Sequence, residues 1–279
     1  MTTVPDVAAA VTTPPGIVFA STKLAVSQLN SVHTGIVYTA TLSGLLNTLS
    51  QVKAKGGRVL IRLAGGENDY KNADGTFNLA RWKSGADKFR NINFNAYITD
   101  GTIVGHFILD EPHFPSRWGN KAIPQATVEE VAKYSKQIWP TLPTLVAAPA
   151  NWLAEVPVTY VNLDAGWATF RAKTASSPAT WISNQVNRAK SKKLGLVVGL
   201  NVLDGGDGSS GIRGTLAKTW AMSATELKSY GTALLNQSYA CAFVNWRYSD
   251  SYYGRADIKS AMADLGAKAR SHAKTSCRQ

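Results

Sequence analysis

Two adjacent carboxylates near the middle of the chain are the residues best suited to acid–base chemistry. Asp110 and Glu111 follow the apolar run Ile103–Leu109, and Pro112 and His113 come next. A carboxyl group at an apolar strand end, beside a second carboxylate, loses hydration and faces a like charge. Both effects raise its pKa towards neutrality, where a carboxylic acid can donate a proton during catalysis. This segment therefore predicts a general acid.

Polar side chains recur where other apolar segments of the chain end. Beyond the two acids, they comprise Arg62, Asn162, Asp164, Asn201, Asn245 and Arg247. Burying such a group without a partner costs on the order of 1–3 kcal/mol, so these groups must pair with one another or line a site. For the residues at the ends of the apolar segments, we favour a functional site. For His106 and Asn162 we favour a structural network.

Metal and phosphate binding fit the sequence less well. Asp110, Glu111 and His113 could ligate a metal, but no second His lies nearby at helical spacing. The glycine-rich segment 205–211 lacks both the Gly-Lys-Ser/Thr of a phosphate-binding loop and the spacing of a dinucleotide-binding turn. We interpret that segment as a mobile loop, and we expect neither a metal nor a cofactor.

These side chains require elements that bring strand ends together. Short runs rich in Val, Ile, Leu or Phe are typical of strands buried on both faces, as in a parallel sheet. The predicted strands are Ile17–Ala20, Gly35–Thr39, Arg58–Leu63, Ile103–Leu109, Thr144–Ala148, Tyr160–Leu163, Leu196–Val202 and Ala242–Trp246. Amphipathic helices are predicted over Thr41–Lys55, Leu79–Phe89, Trp181–Lys193 and Ala256–Ala273, and two more begin at the capping boxes Thr127–Glu130 and Ser223–Glu226.

The alternation of strands and helices predicts an α/β protein with a single (β/α)8 barrel of the TIM type over residues 16–279. The first two predicted strands are too close together in sequence for an ordinary crossover helix between them. An irregular or seven-stranded barrel therefore remains open, as does a doubly wound open sheet. Residues 1–15 are rich in Thr, Ala and Pro, and we expect a linker-like segment there. In a barrel, the site lies where the strands end.

Composition excludes several classes of protein. The 279 residues contain 44% apolar residues and eight Trp, which excludes a disordered chain. No apolar run approaches the roughly 18 residues that cross a bilayer, so we expect no membrane span. The net charge is +12, which favours acidic partners. The lysines fall mostly on helix faces and in the tail, so we do not expect specific nucleic-acid binding.

The two cysteines bear on the cellular compartment. Cys241 and Cys277 could form one disulfide that tethers the C-terminal tail, or they could both be free thiols. A disulfide would suit an exported protein. We expect a secreted or periplasmic protein whose signal peptide is not present in this chain.

The strand that ends in Asp110-Glu111-Pro112 resembles the fourth strand of barrel glycoside hydrolases. In the large retaining group of these enzymes, the acid/base Glu follows Asn and often precedes Pro. In the chitinase and hexosaminidase group, an Asp precedes the acid Glu. The resemblance implies hydrolysis of a glycosidic bond in a poly- or oligosaccharide, with Glu111 as proton donor and Asp110 as its orienting partner.

The sequence departs from the retaining pattern because no Glu follows a late predicted strand. The second carboxylate would have to be Asp164, Asp204 or Asp250, unless the N-acetyl group of the substrate replaces it. Asp164 follows the predicted strand Tyr160–Leu163, and we assign it as base or nucleophile. The alternative role for Asp164 is to cap the following turn.

Aromatic and cationic residues complete the predicted substrate site. Flat aromatic rings stack on sugars, although Trp152, Trp167 and Trp246 and three tyrosines (248, 252, 253) could equally be packing residues. The arginines could bind hydroxyl pairs or an acidic group, or else form salt bridges to Asp110 or Asp164. The residues assigned to bind a carbohydrate substrate, which could itself be acidic, are Arg62, His113, Trp167, Asn201, Trp246 and Arg247.

Two other functions remain open on sequence alone. A barrel lyase or isomerase acting on an anionic sugar would use the arginines as clamps for a carboxylate or phosphate. A glycan-binding barrel that has lost catalysis would account for the missing second Glu. The first would give an unsaturated or rearranged product, and the second would bind without any product.

Overall fold

Eight parallel strands form a closed barrel in a computed structural model that describes residues 15–273 and 276–278. The predicted linker-like segment 1–15 lies outside the described residues except for Pro15. Each strand pairs with its neighbours in chain order, and β1 closes the barrel against β8. The strands are β1 Val18–Ser21, β2 Gly35–Thr39, β3 Arg58–Arg62, β4 Ile103–Asp110, β5 Thr144–Ala147, β6 Ala165–Phe170, β7 Gly195–Leu200 and β8 Ala240–Asn245. The (β/α)8 barrel is thereby confirmed, and the open sheet and the seven-stranded barrel are excluded.

Helices surround the barrel and cover the outer faces of its strands. They are α1 Leu45–Ala54, α2 Leu79–Asp87, α3 Asn95–Thr99, α4 Gln125–Ile138, α5 Ala150–Leu153, α6 Pro178–Ser191, α7 Ala224–Leu235, α8 Asp250–Tyr253 and α9 Ala256–Ser271. The barrel is irregular at its start, because the connection from β1 to β2 contains only the short 3-10 helix Val26–Gln28. That turn explains how two strands so close in sequence still pair in parallel.

One predicted capping box is confirmed and the other is wrong. The Ser223 N–H donates to Glu226 Oε2 at 2.7 Å, and the Glu226 N–H donates to Ser223 Oγ at 3.3 Å, so α7 begins as predicted. By contrast, α4 begins at Gln125 after Pro124, which places Thr127 inside the helix. The N-cap of α4 is Pro124, three residues before the N-cap that the predicted box placed at Thr127.

The sixth strand was predicted in the wrong place. Tyr160–Leu163 is not a strand, because the N–H groups of 161, 162 and 163 donate to the Glu129 carboxylate of α4 at 3.0, 2.8 and 3.0 Å. The strand is instead β6, whose Ala165 pairs with Leu145 on one side and Gly195 on the other. Asn162, which also donates its side-chain amide to Glu129 at 2.8 Å, is structural as expected.

His106 of β4 is a structural residue, but it lies under the helices and not inside the barrel. Its ring stacks on Trp82 of α2 at 5.7 Å, and its Nδ1 lies 2.8 Å from Ser135 Oγ of α4. The Leu63 N–H donates to Nε2 at 3.3 Å. Burial lowers the pKa of His106 to about 3, so its imidazole is neutral. The register of β4 against β5 shifts between Phe107 and Leu109.

The barrel interior is apolar and is closed at its amino end by the C-terminal tail. Val18, Leu60, Phe107 and Val197 belong to the inner cluster, which also contains Cys277. A disulfide joins Cys277 to Cys241 of β8, with their Cα atoms 5.1 Å apart. Of the two alternatives that the sequence left open, the structure therefore shows the disulfide. Within the described residues, no helix is both long enough and apolar enough to cross a membrane.

Candidate active site

A cavity of about 320 Å³ opens at the carboxyl ends of the strands. Asp110 and Glu111 reach it from the end of β4, and Asn201 and Asp204 reach it from the loop after β7. Inward-pointing positions alternate along a barrel strand, and this rule accounts for Trp167 and Thr169 of β6. The remaining lining comes from Ala147, Arg117, Arg171, Thr215, Leu216, Trp246 and Arg247.

A second cavity of about 410 Å³ adjoins the first. Glu111, Ala147, Trp167, Thr169 and Arg171 line both cavities. The second cavity extends past Glu111 to His113, Lys173 and Trp181, among other residues. We call the two cavities together the cleft. Glu111 therefore lies near the middle of the cleft, at the junction of its two halves.

The backbone of Glu111 is held in an unusual conformation. Its φ is +47°, in the left-handed region that residues other than Gly rarely adopt. Its N–H donates to Ala147 O at 3.0 Å, and its carbonyl accepts from the Phe114 N–H and from Trp118 Nε1, each at 3.1 Å. Such conformations persist only where the surroundings fix them, and they cluster at functional sites. The three bonds fix the direction of the Glu111 side chain.

Asp110 is bound by two arginines. Arg62 Nη2 lies 3.1 Å from Asp110 Oδ2, and Arg117 Nη2 lies 3.2 Å from the same oxygen. The Arg62 guanidinium also stacks over the Phe107 ring, 4.2 Å from its centroid. Arg62 thus forms the salt bridge to Asp110 that the sequence left open, and it does not line the cleft.

Arg117 connects the two acids to a third carboxylate. Its guanidinium donates to Glu111, to Asp110 and to Glu67, which lies in the 3-10 helix after β3. Burial alone would lower the pKa of Arg117, but Asp110, Glu67 and Glu111 outweigh it, and the pKa is raised. Arg117 is therefore a permanent cation between the carboxylates.

The pKa of Glu111 is raised, in the direction that the sequence predicted. Burial contributes most, and the like charge of Asp110 adds to it. Arg117 and Arg171 act in the opposite direction, and Arg171 Nη2 lies 3.9 Å from Glu111 Oε1. The net shift favours the protonated carboxyl group, which is the form that can donate a proton.

His113 lines the second cavity as a neutral imidazole. Burial, together with the charges of Arg117 and Arg171, lowers its pKa to about 4. Its Nδ1 is buried and has no hydrogen-bond partner among the described residues. His113 can therefore offer one unpaired polar atom beside the cleft.

Four further residues assigned to substrate binding line the cleft. Trp167 packs edge-on to Phe107, with ring centroids 5.2 Å apart, and its buried Nε1 has no partner among the described residues. Asn201 accepts a hydrogen bond at Oδ1 from the Asp204 N–H at 3.1 Å. Trp246 and Arg247 follow β8, joined by a cis peptide bond, and both are half-buried. The structure thus brings these four residues together with Asp110 and Glu111.

The structure separates Asp164 from this group, and its predicted position at a strand exit is wrong. Asp164 precedes β6, so it lies at the amino end of the barrel, whereas the cleft lies at the carboxyl end. It accepts hydrogen bonds from the Thr144 N–H at 2.7 Å and Oγ at 3.2 Å. Lys136 Nζ lies 2.5 Å from Asp164, and Arg278 Nε lies 3.5 Å away. Asp164 is a structural ion-pair partner and cannot reach a substrate in the cleft.

Of the other acids considered from the sequence, Asp204 lines the cleft and Asp250 does not. Asp250 accepts a hydrogen bond from Gln28 Nε2 at 2.9 Å. Asp204 accepts from the Thr215 N–H and Oγ, the Leu216 N–H and Thr219 Oγ at 2.5–2.8 Å. Burial would raise the pKa of Asp204, but these bonds outweigh it, and the pKa is lowered. Asp204 therefore anchors the loop that brings Thr215 and Leu216 over the cleft.

Several other candidates are packing residues. Tyr252 and Tyr253 are buried, and Tyr252 Oη donates to Met222 O at 2.6 Å. Tyr248 stacks on Tyr253 with ring centroids 4.7 Å apart. Asn245 is fully buried, and neither polar atom of its side-chain amide has a hydrogen-bond partner among the described residues. The glycine-rich segment 205–211 is held at Asp207, whose N–H donates to Glu226 near the start of α7. Neither the three tyrosines, nor Asn245, nor the segment 205–211 lines the cleft.

Sequence reasoning missed several residues of the cleft, namely Arg117, Thr169, Arg171, Lys173, Thr215 and Leu216. Thr169 and Arg171 continue the inward alternation that begins at Trp167, and this signal was hidden because β6 was predicted too early. Arg117 lies on a 3-10 turn, Pro115–Arg117, where no periodicity marks it. Within the described residues, no three His, Cys, Asp or Glu side chains are grouped so that they could hold a metal ion.

Comparisons with known proteins identify the fold. The sequence matches no protein-family model, and it has no significant match among curated proteins. Solved structures do match, beginning with the catalytic domain of the major endoglucanase of Xanthomonas campestris (10% identity, TM-score 0.55, covering 92% of this chain and 95% of that one).

Two further matches were solved with sugars bound. An endocellulase of Pyrococcus horikoshii in complex with cellotetraose matches at 10% identity and a TM-score of 0.55, covering 91% of this chain and 92% of that one. Xylanase 10B of Thermotoga petrophila in complex with xylobiose matches at 8% identity and a TM-score of 0.54, covering 92% and 95%. At such identities the likeness concerns the fold: this chain has a (β/α)8 barrel like that of glycoside hydrolases.

Proposed function

We propose that the protein hydrolyses a glycosidic bond in a poly- or oligosaccharide, with Glu111 as the proton donor. The observation that carries this proposal is the position of Glu111 at the junction of the two cavities, with a raised pKa. A general acid must hold its proton near the working pH and must reach the leaving oxygen. The fold shared with endoglucanase and xylanase structures supports the same reaction class.

Several residues of the cleft have a role in this reaction. Protonated Glu111 donates its proton to the glycosidic oxygen, which takes the electron pair of the breaking bond and leaves as a hydroxyl group, and a water molecule supplies the hydroxyl group that the sugar carbon gains. Asp110, paired with Arg62 and Arg117, maintains the charge beside Glu111 and positions it. Trp167 and Trp246 offer aromatic faces against which sugar rings can pack. Asn201 and His113 bind hydroxyl groups.

The second catalytic role has two candidates. Among the described acids considered from the sequence, only Asp204 both lines the cleft and lies on a different strand end from Glu111. Its oxygens already accept four hydrogen bonds, which weakens it as a nucleophile or base. An N-acetyl group carried by the substrate is the alternative. Inversion at the sugar carbon would identify Asp204 as the base, whereas retention is compatible with a nucleophilic Asp204 and with the N-acetyl group. In the case of retention, turnover of a substrate that lacks the N-acetyl group would identify Asp204, and loss of that turnover would identify the N-acetyl group.

The test is to replace Glu111 by Gln, which keeps the size of the side chain but removes the acid. We expect kcat on a responsive glycan to fall by about 10²–10⁴-fold, with an unchanged melting temperature. The substrate would be found by screening neutral and acidic glycans for new reducing ends. The matched control is Glu155→Gln, since Glu155 is exposed after α5 and does not line the cleft. Full activity of Glu111→Gln would contradict the proposal.

A glycan-binding protein without hydrolysis is the second candidate. It is favoured because the other carboxylates in the described part of the cleft are already engaged, Asp204 by the hydrogen bonds of its loop and Asp110 by two arginines. Saturable glycan binding by the wild type, with no product after prolonged incubation, would establish this function in place of hydrolysis.

We also infer that the protein works in an oxidising compartment, either secreted or periplasmic. The Cys241–Cys277 disulfide supports this inference, because disulfides are rare in reducing cytosols. Specific nucleic-acid binding is not part of the proposal, because the lysines fall mostly on helix faces and in the tail.

A further inference from the structure

The cleft carries cations that its own carboxylates do not neutralise. Asp110 is paired with Arg62 and Arg117, and Glu111 is paired with Arg117. Asp204 is occupied by the hydrogen bonds of its loop. The acids of the cleft are therefore engaged, yet further guanidinium and ammonium groups remain along its walls.

Arg247 is the clearest of these cations. It lines the first cavity and is half-buried. Within the described residues, no carboxylate lies within 4.0 Å of its guanidinium, and no hydrogen bond from it is present. A partly buried guanidinium without a partner is costly, and its planar fork fits a carboxylate or sulfate with two parallel hydrogen bonds.

The opposite half of the cleft has a second cationic group. Arg171 and Lys173 both line the second cavity. Arg171 has only a long contact of 3.9 Å to Glu111 Oε1, and Lys173 forms no ion pair with a described residue. Arg247 lines only the first cavity and Lys173 only the second, whereas Arg171 and Glu111 line both.

We propose that the glycan recognised by the cleft is anionic, with one acidic group bound by Arg247 in the first cavity and another by Lys173 and Arg171 in the second. This inference rests on the proposed function, since it names the substrate class of the same site. The acidic group is a carboxylate or a sulfate, because both present oxygens in the geometry that a guanidinium binds. The net charge of +12 attracts such a chain towards the protein.

The arrangement also explains discrimination against neutral sugars. A neutral glycan of the same shape would cover the three cations without replacing the water that solvates them. Arg171 and Arg247 are partly buried and Lys173 is exposed, so a neutral glycan would take charges that are now solvated out of water without giving them a partner, and this cost separates the two classes of glycan.

Binding to the Glu111→Gln variant tests the proposal without turnover. The probes are a polyuronate oligosaccharide, the same oligosaccharide with its carboxyl groups reduced to alcohols, and a sulfated neutral glycan. We expect the better anionic probe to bind at least about tenfold more tightly than the carboxyl-reduced one, and its affinity to fall as salt increases. The ranking of the uronate and the sulfated probe identifies which acidic group is bound.

Adding Arg247→Gln should raise the Kd of that anionic probe by about tenfold, and should leave the Kd of the carboxyl-reduced probe unchanged. The matched control is Arg188→Gln, because Arg188 is exposed on α6 and outside the cleft. Melting temperatures establish that the variants fold. Equal binding of the charged and carboxyl-reduced probes, no binding of either anionic probe, or no effect of Arg247→Gln would overturn the inference.

These outcomes are distinct from those that test hydrolysis. Wild-type turnover of a neutral glycan that is lost in Glu111→Gln, without any anionic preference, would overturn this inference and leave the proposed function intact. Tight binding of an anionic probe that depends on Arg247, with no product from the wild type, would support this inference and contradict the proposed hydrolysis.

Discussion

At the scale of single residues, Glu111 lies between groups that act on its proton in opposite directions. Burial and the charge of Asp110 raise its pKa, whereas Arg117 and Arg171 lower it. The net result is a raised pKa, although Arg117 donates directly to the carboxylate. Single substitutions of Asp110 and Arg117 should therefore shift the pKa of Glu111 in opposite directions.

Asp110→Asn and Arg117→Gln should shift the pH profile of activity in opposite directions. Only protonated Glu111 can donate, so activity falls as pH rises through its pKa. Removing the charge of Asp110 lowers that pKa and moves the basic limb of kcat/KM to lower pH. Removing Arg117 raises the pKa and moves the limb to higher pH, in each case by about one unit.

The measurement is the pH dependence of kcat/KM for both variants beside the wild type. Melting temperatures across the same pH range ensure that folded protein is compared. Shifts of both variants in one direction, or no shift in either, would contradict the role of Glu111 as the acid.

The residues of this site were predictable to unequal degrees. Asp110 and Glu111 stand out in sequence because two adjacent acids follow the apolar residues Phe107–Leu109, and the pairing of Arg62 with Asp110 was one of two alternatives. Arg117 could not be predicted, since it reaches both acids from an irregular turn. Its position depends on how the chain folds back after Pro112, which no local pattern encodes.

At the scale of elements, the displacement of β6 shows the limit of apolar patterns. The run Tyr160–Leu163 was predicted as the sixth strand because of its apolar residues, but three of its N–H groups donate to Glu129. β6 contains Ala165 and Gly166, which are small because neighbouring groups come close; a Cβ at Gly166 would lie 2.9 Å from Ala148 O. Such tertiary constraints decided the register, and they placed Asp164 before the strand and Arg171 in the cleft.

Asp164→Asn should therefore destabilise the protein without impairing catalysis. The substitution leaves Lys136, whose side chain is only 10% exposed, without its carboxylate. We expect the free energy of unfolding to fall by about 3 kcal/mol, as when one partner of a buried ion pair is removed. We expect kcat/KM of the folded variant to be unchanged, because Asp164 lies at the amino end of the barrel.

Denaturant unfolding and steady-state kinetics provide the two measurements. Asp264→Asn is the matched control, because Asp264 pairs with Lys228 on the surface, where both side chains are about half exposed or more. Removing that pair should cost less than about 1 kcal/mol. Loss of turnover in Asp164→Asn with full stability would restore Asp164 as a catalytic candidate.

At the scale of the whole molecule, the two ends of the barrel perform different tasks. The carboxyl end holds the cleft, and the amino end is closed by the tail through Cys277 and through Arg278, which lies 3.5 Å from Asp164. This division is general in (β/α)8 enzymes, where stability and chemistry occupy opposite faces. The tail can therefore be released without any direct change to the residues of the cleft.

Loss of the Cys241–Cys277 disulfide should lower stability and leave the cleft functional. The bond joins residues 36 apart in sequence, and restriction of the unfolded chain by such a loop contributes about 3–4 kcal/mol. Reductant or Cys277→Ser should therefore lower the denaturant midpoint of unfolding, while kcat/KM at temperatures where the protein is folded stays unchanged. The double variant Cys241→Ser/Cys277→Ser serves as control, because its midpoint should not respond to reductant. A wild-type midpoint that is insensitive to reductant, or a folded variant without activity, would contradict the separation of the two ends.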